Sequence, residues 1–117
     1  MRPIEDIASF RIDLAADFSP TPLGRYKRQG RFSGEAFRED HLKPALNRYR
    51  RITIDLDGAT GLSTGFLDEA FAGLVRDGTL SETGFWDRIE LIATRDPGVL
   101  SEVRTFVSRA ALNHASH

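Results

Sequence analysis

The stretch Ile52-Thr53-Ile54-Asp55-Leu56-Asp57-Gly58-Ala59-Thr60-Gly61-Leu62-Ser63-Thr64-Gly65-Phe66-Leu67-Asp68-Glu69-Ala70-Phe71 decides how this chain folds. Ile52, Ile54 and Leu56 alternate with Thr53 and Asp55, the period of a strand with one buried face. A small polar loop follows and empties into a helix that starts on Ser63 or Thr64 and runs to about Asp77. Leu67, Ala70, Phe71, Leu74 and Val75 recur at helical spacing, so one stripe of it faces a core. Gly78 stands where a helix commonly ends on glycine. A hydroxyl at the helix start lies beside backbone N–H groups that have no helical acceptor, and it can be presented to a partner.

Upstream, Phe10, Ile12 and Leu14 alternate with Arg11 and Asp13, which predicts another strand. Asp17 to Pro22, which contains Ser19-Pro20-Thr21-Pro22, cannot continue it easily and predicts a turn. Gly24-Arg25-Tyr26-Lys27-Arg28-Gln29-Gly30 reads as a short second strand closing a hairpin. Ser33 is a candidate N-cap, and Glu35 suits the positive end of the helix that follows. Phe37, His41, Ala45 and Leu46 share a stripe of that helix, and Pro44 inside it predicts a kink or restart.

Downstream, residues 79–87 read as a connection, and Ile89, Leu91 and Ile92 as a well-buried strand. Asp96-Pro97 is an N-cap followed by proline, ahead of an apolar face made by Val99, Leu100, Val103, Phe106, Val107 and Ala110. Residues 1–7 and 113–117 are expected to be flexible. This order predicts one α/β domain over residues 8–112: a mixed or mainly parallel sheet of about four strands carrying about three helices.

The 117 residues fit one domain able to bury roughly two-thirds of its unfolded surface. The absence of cysteine excludes disulfides, thiolate metal sites and thiol catalysis. No apolar run approaches the roughly 20 residues that span a bilayer, and the N-terminus has no apolar signal core, so the expected compartment is the cytoplasm. A net charge of −1 argues against a general affinity for nucleic acid. Residues 24–51 nevertheless hold nine Lys or Arg against three Asp or Glu, while residues 52–117 hold five against ten. That predicts a bipolar molecule whose basic region faces solvent or an anionic partner.

The run Asp55 to Gly65 resembles the signature of STAS domains, the sulfate-transporter and anti-sigma-factor-antagonist modules. More closely, Ser63-Thr64-Gly65-Phe66-Leu67-Asp68-Glu69-Ala70-Phe71 resembles a STAS-like family of unknown function, in which a Ser/Thr-rich helix start precedes Phe, an acidic pair and another aromatic. Gly30 to Arg38 is similar to that family's entry to its first helix. The likeness to anti-sigma antagonists implies docking on a histidine-kinase-like ATPase or serine kinase, with release on phosphorylation of the hydroxyl at the helix start. The matching position here is Thr64, with Ser63 where those proteins have Asp. The docking face it implies comprises Asp57, Gly65, Phe66, Asp68 and Glu69. A bound phosphate adds roughly −1.5 to −2 charge, costly against an acidic or apolar partner surface. Ser63 or Thr64 also serves as a plain helix cap.

Asp55-x-Asp57-Gly58 after a strand is also similar to haloacid-dehalogenase-type phosphatases, in which paired Asp residues work with Mg²⁺. Ala59 stands where those enzymes have Thr, and the two lysines, Lys27 and Lys43, lie upstream of where that chemistry needs one. The same lack counts against a response-regulator receiver. Phosphate-binding glycine loops are absent. His41, the one histidine outside the tail, reads as a packing residue, and no metal or cofactor is expected. Arg25, Lys27, Arg28 and Arg31, with Tyr26 and Phe32 interleaved, can protect a sheet edge, meet an acidic protein or track single-stranded nucleic acid. The expectation is a non-catalytic interaction domain. The alternative is a small nucleic-acid- or nucleotide-binding module using residues 24–51. The oligomeric state is left open.

Overall fold

The computed structural model describes residues 9–115. β1 (Ser9–Asp13), β2 (Arg51–Asp55) and β3 (Ile89–Ile92) form one parallel sheet in the order β1-β2-β3. The register aligns like with like: Phe10, Ile52 and Ile89 make one row, and Ile12, Ile54 and Leu91 the next. Arg11, Thr53 and Glu90 make the intervening row on the opposite face, as the two-residue pleat requires. There Arg11 bonds Asp55 at 2.6 Å and Thr53 bonds Glu90 at 3.2 Å. Parallel sheets are usually covered on both faces. Here the second face carries polar side chains instead.

Sequential parallel order with right-handed crossovers puts the helices on one side. α1 spans residues 34–48 as Gly34–Phe37, a π-helical turn Arg38–Leu42, and Lys43–Arg48. α2 spans residues 64–76 as Thr64–Leu67, a π-helical turn Asp68–Ala72, and Gly73–Arg76. α3 is Glu82–Arg88 and α4 is Gly98–Ala115. α2 packs with α1 on one flank and α4 on the other. Its stripe Leu67, Ala70, Phe71, Leu74 and Val75 is buried, as its spacing requires. The core is held by a chain of rings, Phe18–Phe37 at 5.0 Å, Phe37–Phe71 at 6.2 Å and Phe71–Phe85 at 6.4 Å. Such pairs contribute about 0.5–1.5 kcal/mol each beyond area burial.

Several expectations need correction. Residues 24–30 form no strand, so the sheet has three strands among the described residues. The Gln29 side chain accepts from the Arg25 and Tyr26 N–H groups at 3.0 and 2.9 Å, removing donors a ladder needs, and Lys27–Gln29 curls into a 3₁₀ turn. Residues 79–87 are not a plain connection: Ser81 accepts from Gly84 N–H at 2.9 Å and starts α3, which buries Phe85. The helices therefore number four among the described residues, besides single turns. α4 extends through residue 115, and residues 1–8 and 116–117 lie outside the described residues. The interruption expected at Pro44 takes the form of the π-helical turn just before it, with Lys43 N–H reaching back to Arg38 O.

Some basic residues of the first half pair with acids around α1 and α2: Lys27 with Asp40 at 3.1 Å, and Lys43 with Asp77 and Glu39 at 2.9 Å each. No helix among the described residues is long and apolar enough to cross a membrane.

Candidate functional site

The loop between β2 and α2 is pinned at each end. Asp55 accepts from the Asp57 N–H at 2.9 Å, which turns the chain as it leaves β2. The Asp57 carboxylate accepts from the Thr94 hydroxyl at 2.6 Å and the Arg95 N–H at 3.0 Å, clamping this loop to the one after β3. The Thr94 bond, then the Arg95 bond, holds the Asp57 carboxyl below its ordinary pKa. Thr60 N–H donates to Pro20 O at 2.8 Å and ties the loop to the turn after β1.

Ser63 is the cap. Its Oγ accepts from Phe66 N–H at 3.2 Å, and its carbonyl accepts from Leu67 N–H at 3.1 Å. Thr64 is the first residue inside α2, and it is exposed. Its hydroxyl has no hydrogen-bond partner among the described residues. The two hydroxyls are therefore divided: one closes the helix, the other faces out.

Gly65 lets another segment come close. A Cβ there would stand 3.1 Å from Arg25 Cγ and 3.3 Å from Arg25 Nε. Arg25 crosses this gap to Asp68, Nη1 to Oδ2, at 2.8 Å. Arg76, two turns further along α2, bonds Asp68 Oδ1 at 3.1 Å. Burial pushes the Asp68 carboxyl up, but the bonds from Arg25 and Arg76 outweigh it and hold it below the ordinary value. The Asp68 bond in turn raises Arg25.

These contacts join two sets of residues that the sequence reading kept apart, since Arg25 of the basic segment lies on the start of α2. Lys27 is spent on Asp40. Arg28 and Arg31 lie over the half-exposed rings of Tyr26 and Phe32, 5.0 and 6.0 Å from the centroids. Phe66 cannot belong to a docking face, because it is fully buried with its ring 6.1 Å from that of Phe37. Glu69 is turned inward as well, with its side chain 12% exposed and bonded to Arg38 at 2.8 Å. Of the expected face, Asp57, Gly65 and Asp68 are partly exposed, beside the exposed Thr64. Among the described residues no group of three or more His, Cys, Asp or Glu is placed to hold a metal ion.

The family model of a STAS-like domain of unknown function (DUF4325) matches residues 33–98, more than half of the chain. The chain belongs to this family. The match opens on Ser33, the cap of α1, and closes on Gly98, the first residue of α4, so it takes in the whole β2-loop-α2 site of the STAS-like domain. Neither a curated protein nor a solved structure matches the chain.

Sequence reasoning missed Arg76, Arg109 and Asn113, which share a cleft with Thr64 in the STAS-like domain. Arg76 carried a signal, since it stands two turns from Asp68 on a helix already expected. Arg109 and Asn113 carried none, because only the packing of α4 against α2 brings them there.

Proposed function

We propose that this STAS-like domain is a non-catalytic regulatory module that docks a protein partner through the start of α2, with phosphorylation of Thr64 as the release signal. The observation that carries this reading is the division of labour between the two hydroxyls: Ser63 alone caps the helix, and Thr64 is exposed and uncommitted. Thr64 can therefore be modified without loss of the cap. In the modifying step the Thr64 oxygen attacks the γ-phosphorus of ATP, ADP leaves, and the hydroxyl proton is released. By its likeness to anti-sigma antagonists, the first candidate partner is a histidine-kinase-like ATPase or a serine kinase. The lack of an Asp before Thr64 means that such a kinase must orient the hydroxyl with its own groups.

The test is affinity capture from native-host lysate with ATP or ADP present, comparing wild type with Thr64→Asp and checking that both melt alike. A partner held by the wild type and lost by the variant supports the reading. Equal capture overturns it and leaves the segment as a helix start.

A second reading rests on Tyr26 and Phe32, both half-exposed under Arg28 and Arg31. Such a patch suits stacking of single-stranded nucleic acid. Binding of a labelled oligonucleotide that falls steeply with salt and disappears in Arg28→Ala/Arg31→Ala would favour it.

A further inference from the structure

Between α2, from Thr64 to Arg76, and the C-terminal half of α4 lies a cleft of about 420 Å³, lined by Thr64, Arg25, Asp68, Arg76, Arg109 and Asn113. Three guanidinium groups meet two carboxylates there, since Arg76 also reaches Glu69 at 3.5 Å. Asp68 is already divided, one oxygen on Arg25 and the other on Arg76. Arg109 has no carboxylate partner among the described residues, so the cleft holds unbalanced positive charge beside Thr64. Phe106 and Ala110 add an apolar wall, which lowers the local dielectric and strengthens any charge pairing made against it.

We propose that this cleft is a binding site for a phosphate monoester. The chemistry selects that class. Guanidinium forks match the paired oxygens of a phosphate, and Arg109 supplies a cation that no carboxylate of the described residues neutralises. Arg25 and Arg109 line the cleft from different segments, a loop and a helix, so a phosphate held there draws on both. Binding draws Arg25 from Asp68, which keeps Arg76. Gly65 is part of the site because any side chain there would displace Arg25. The phosphate has two possible sources: an ester on Thr64 itself, or a soluble ligand. The first rests on the function proposed above, and the second does not.

The test uses the full chain. In one arm, phosphothreonine is installed at position 64 during translation, and its second ionisation is followed by ³¹P NMR. The groups facing that phosphate are Arg25, Arg76, Arg109 and Asp68, with Glu69 behind Arg76; His114 of α4 lies beside Gly78, past the far end of α2. The expected result is a second pKa below the value of about 6 for a free phosphate ester, moving back toward it in Arg109→Gln. In the other arm, inorganic phosphate and O-phosphothreonine are titrated into the unmodified ¹⁵N-labelled chain, following the Arg25 and Arg109 Nε–H signals. Saturable shifts, with affinity roughly tenfold weaker in Arg109→Gln, identify a soluble source. A phosphothreonine that titrates as in the unfolded peptide, together with arginine signals unmoved by phosphate, overturns the site. Because the modification is installed without a kinase, the site can stand while partner capture is indifferent to Thr64, in which case only the switch fails.

Discussion

Arg38 of α1 donates to the main-chain oxygen of Glu69, a carbonyl that α2 leaves without its usual helical donor. In the π-helical turn the Gly73 N–H reaches Asp68 O and Phe71 O instead. The same guanidinium bonds the Glu69 carboxylate at 2.8 Å and Glu39 at 2.9 Å. Burial pushes Arg38 down, but the bonds from Glu69 and Glu39 hold it above its ordinary pKa and therefore charged. Arg38→Met strands a carbonyl and leaves the Glu69 carboxylate, only 12% exposed, with Arg76 alone at 3.5 Å. The expected loss is about 3 kcal/mol, read as a lower urea midpoint. Arg38→Lys should recover part of it, because a single ammonium cannot reproduce the fork.

Gly73→Ala tests the same junction from the other side. In an ordinary helix interior the change would stabilise by roughly 1 kcal/mol. Here a Cβ at Gly73 would overlap the Arg38 guanidinium, which its three acceptors hold in place. The expected net effect is destabilisation of about 1–3 kcal/mol in thermal or urea unfolding. A stabilised variant would show that Arg38 yields freely.

Acid should weaken the domain. Burial raises the Asp68 and Asp77 carboxyls, but the bonds from Arg25 to Asp68 and from Lys43 to Asp77 hold both below their ordinary values. The Lys43 bond holds Glu39 down as well. Carboxyls of the unfolded chain titrate near about 4. Between there and the depressed folded values the unfolded state binds more protons, so stability falls as the pH is lowered. The contribution is complete above about pH 5 and is lost as pH drops through the folded values. Lys43 has the opposite sign: its bonds to Asp77 and Glu39 raise it, so its contribution is complete below about pH 10 and lost above. Melting temperature against pH checks this, and Asp68→Asn should flatten the acid limb.

Arg88, at the end of α3, closes the end of α1. It donates to Leu46 O at 2.7 Å, Tyr49 O at 2.8 Å and Arg50 O at 2.9 Å, carbonyls that the helix end leaves open. Arg88→Ala should cost about 2–3 kcal/mol and speed amide exchange in residues 46–50. Unchanged exchange there would mean that water serves those carbonyls equally well.

The strands and the two flanking helices were legible because their apolar residues keep one period over several turns. Ile52 and Ile54 point one way and Thr53 the other, and no neighbour can alter that. α3 was not legible, since Gly84 in its first turn and a helix of only two turns leave too little period to read. The turn at 24–30 was misread because a side chain, Gln29, supplies its acceptors. At the site, the cap and the exposed hydroxyl follow from local sequence. The burial of Phe66 and Glu69 and the arrival of Arg25, Arg38 and Arg109 depend on how α2 is packed on both flanks, which local patterns do not encode.

Ser63 and Thr64 should separate cleanly. Ser63→Ala removes the acceptor for Phe66 N–H and should cost about 1 kcal/mol. Ser63→Asp keeps an acceptor at the cap and should restore stability. Thr64→Ala deletes an exposed hydroxyl without an internal partner, so it should change stability by less than about 0.5 kcal/mol. If Thr64→Ala proved as damaging as Ser63→Ala, the two residues would share the cap. Thr64 would then not be free to carry a phosphate, and the release signal would have to lie elsewhere. A silent Thr64→Ala with an intact fold leaves position 64 available to act on a partner alone.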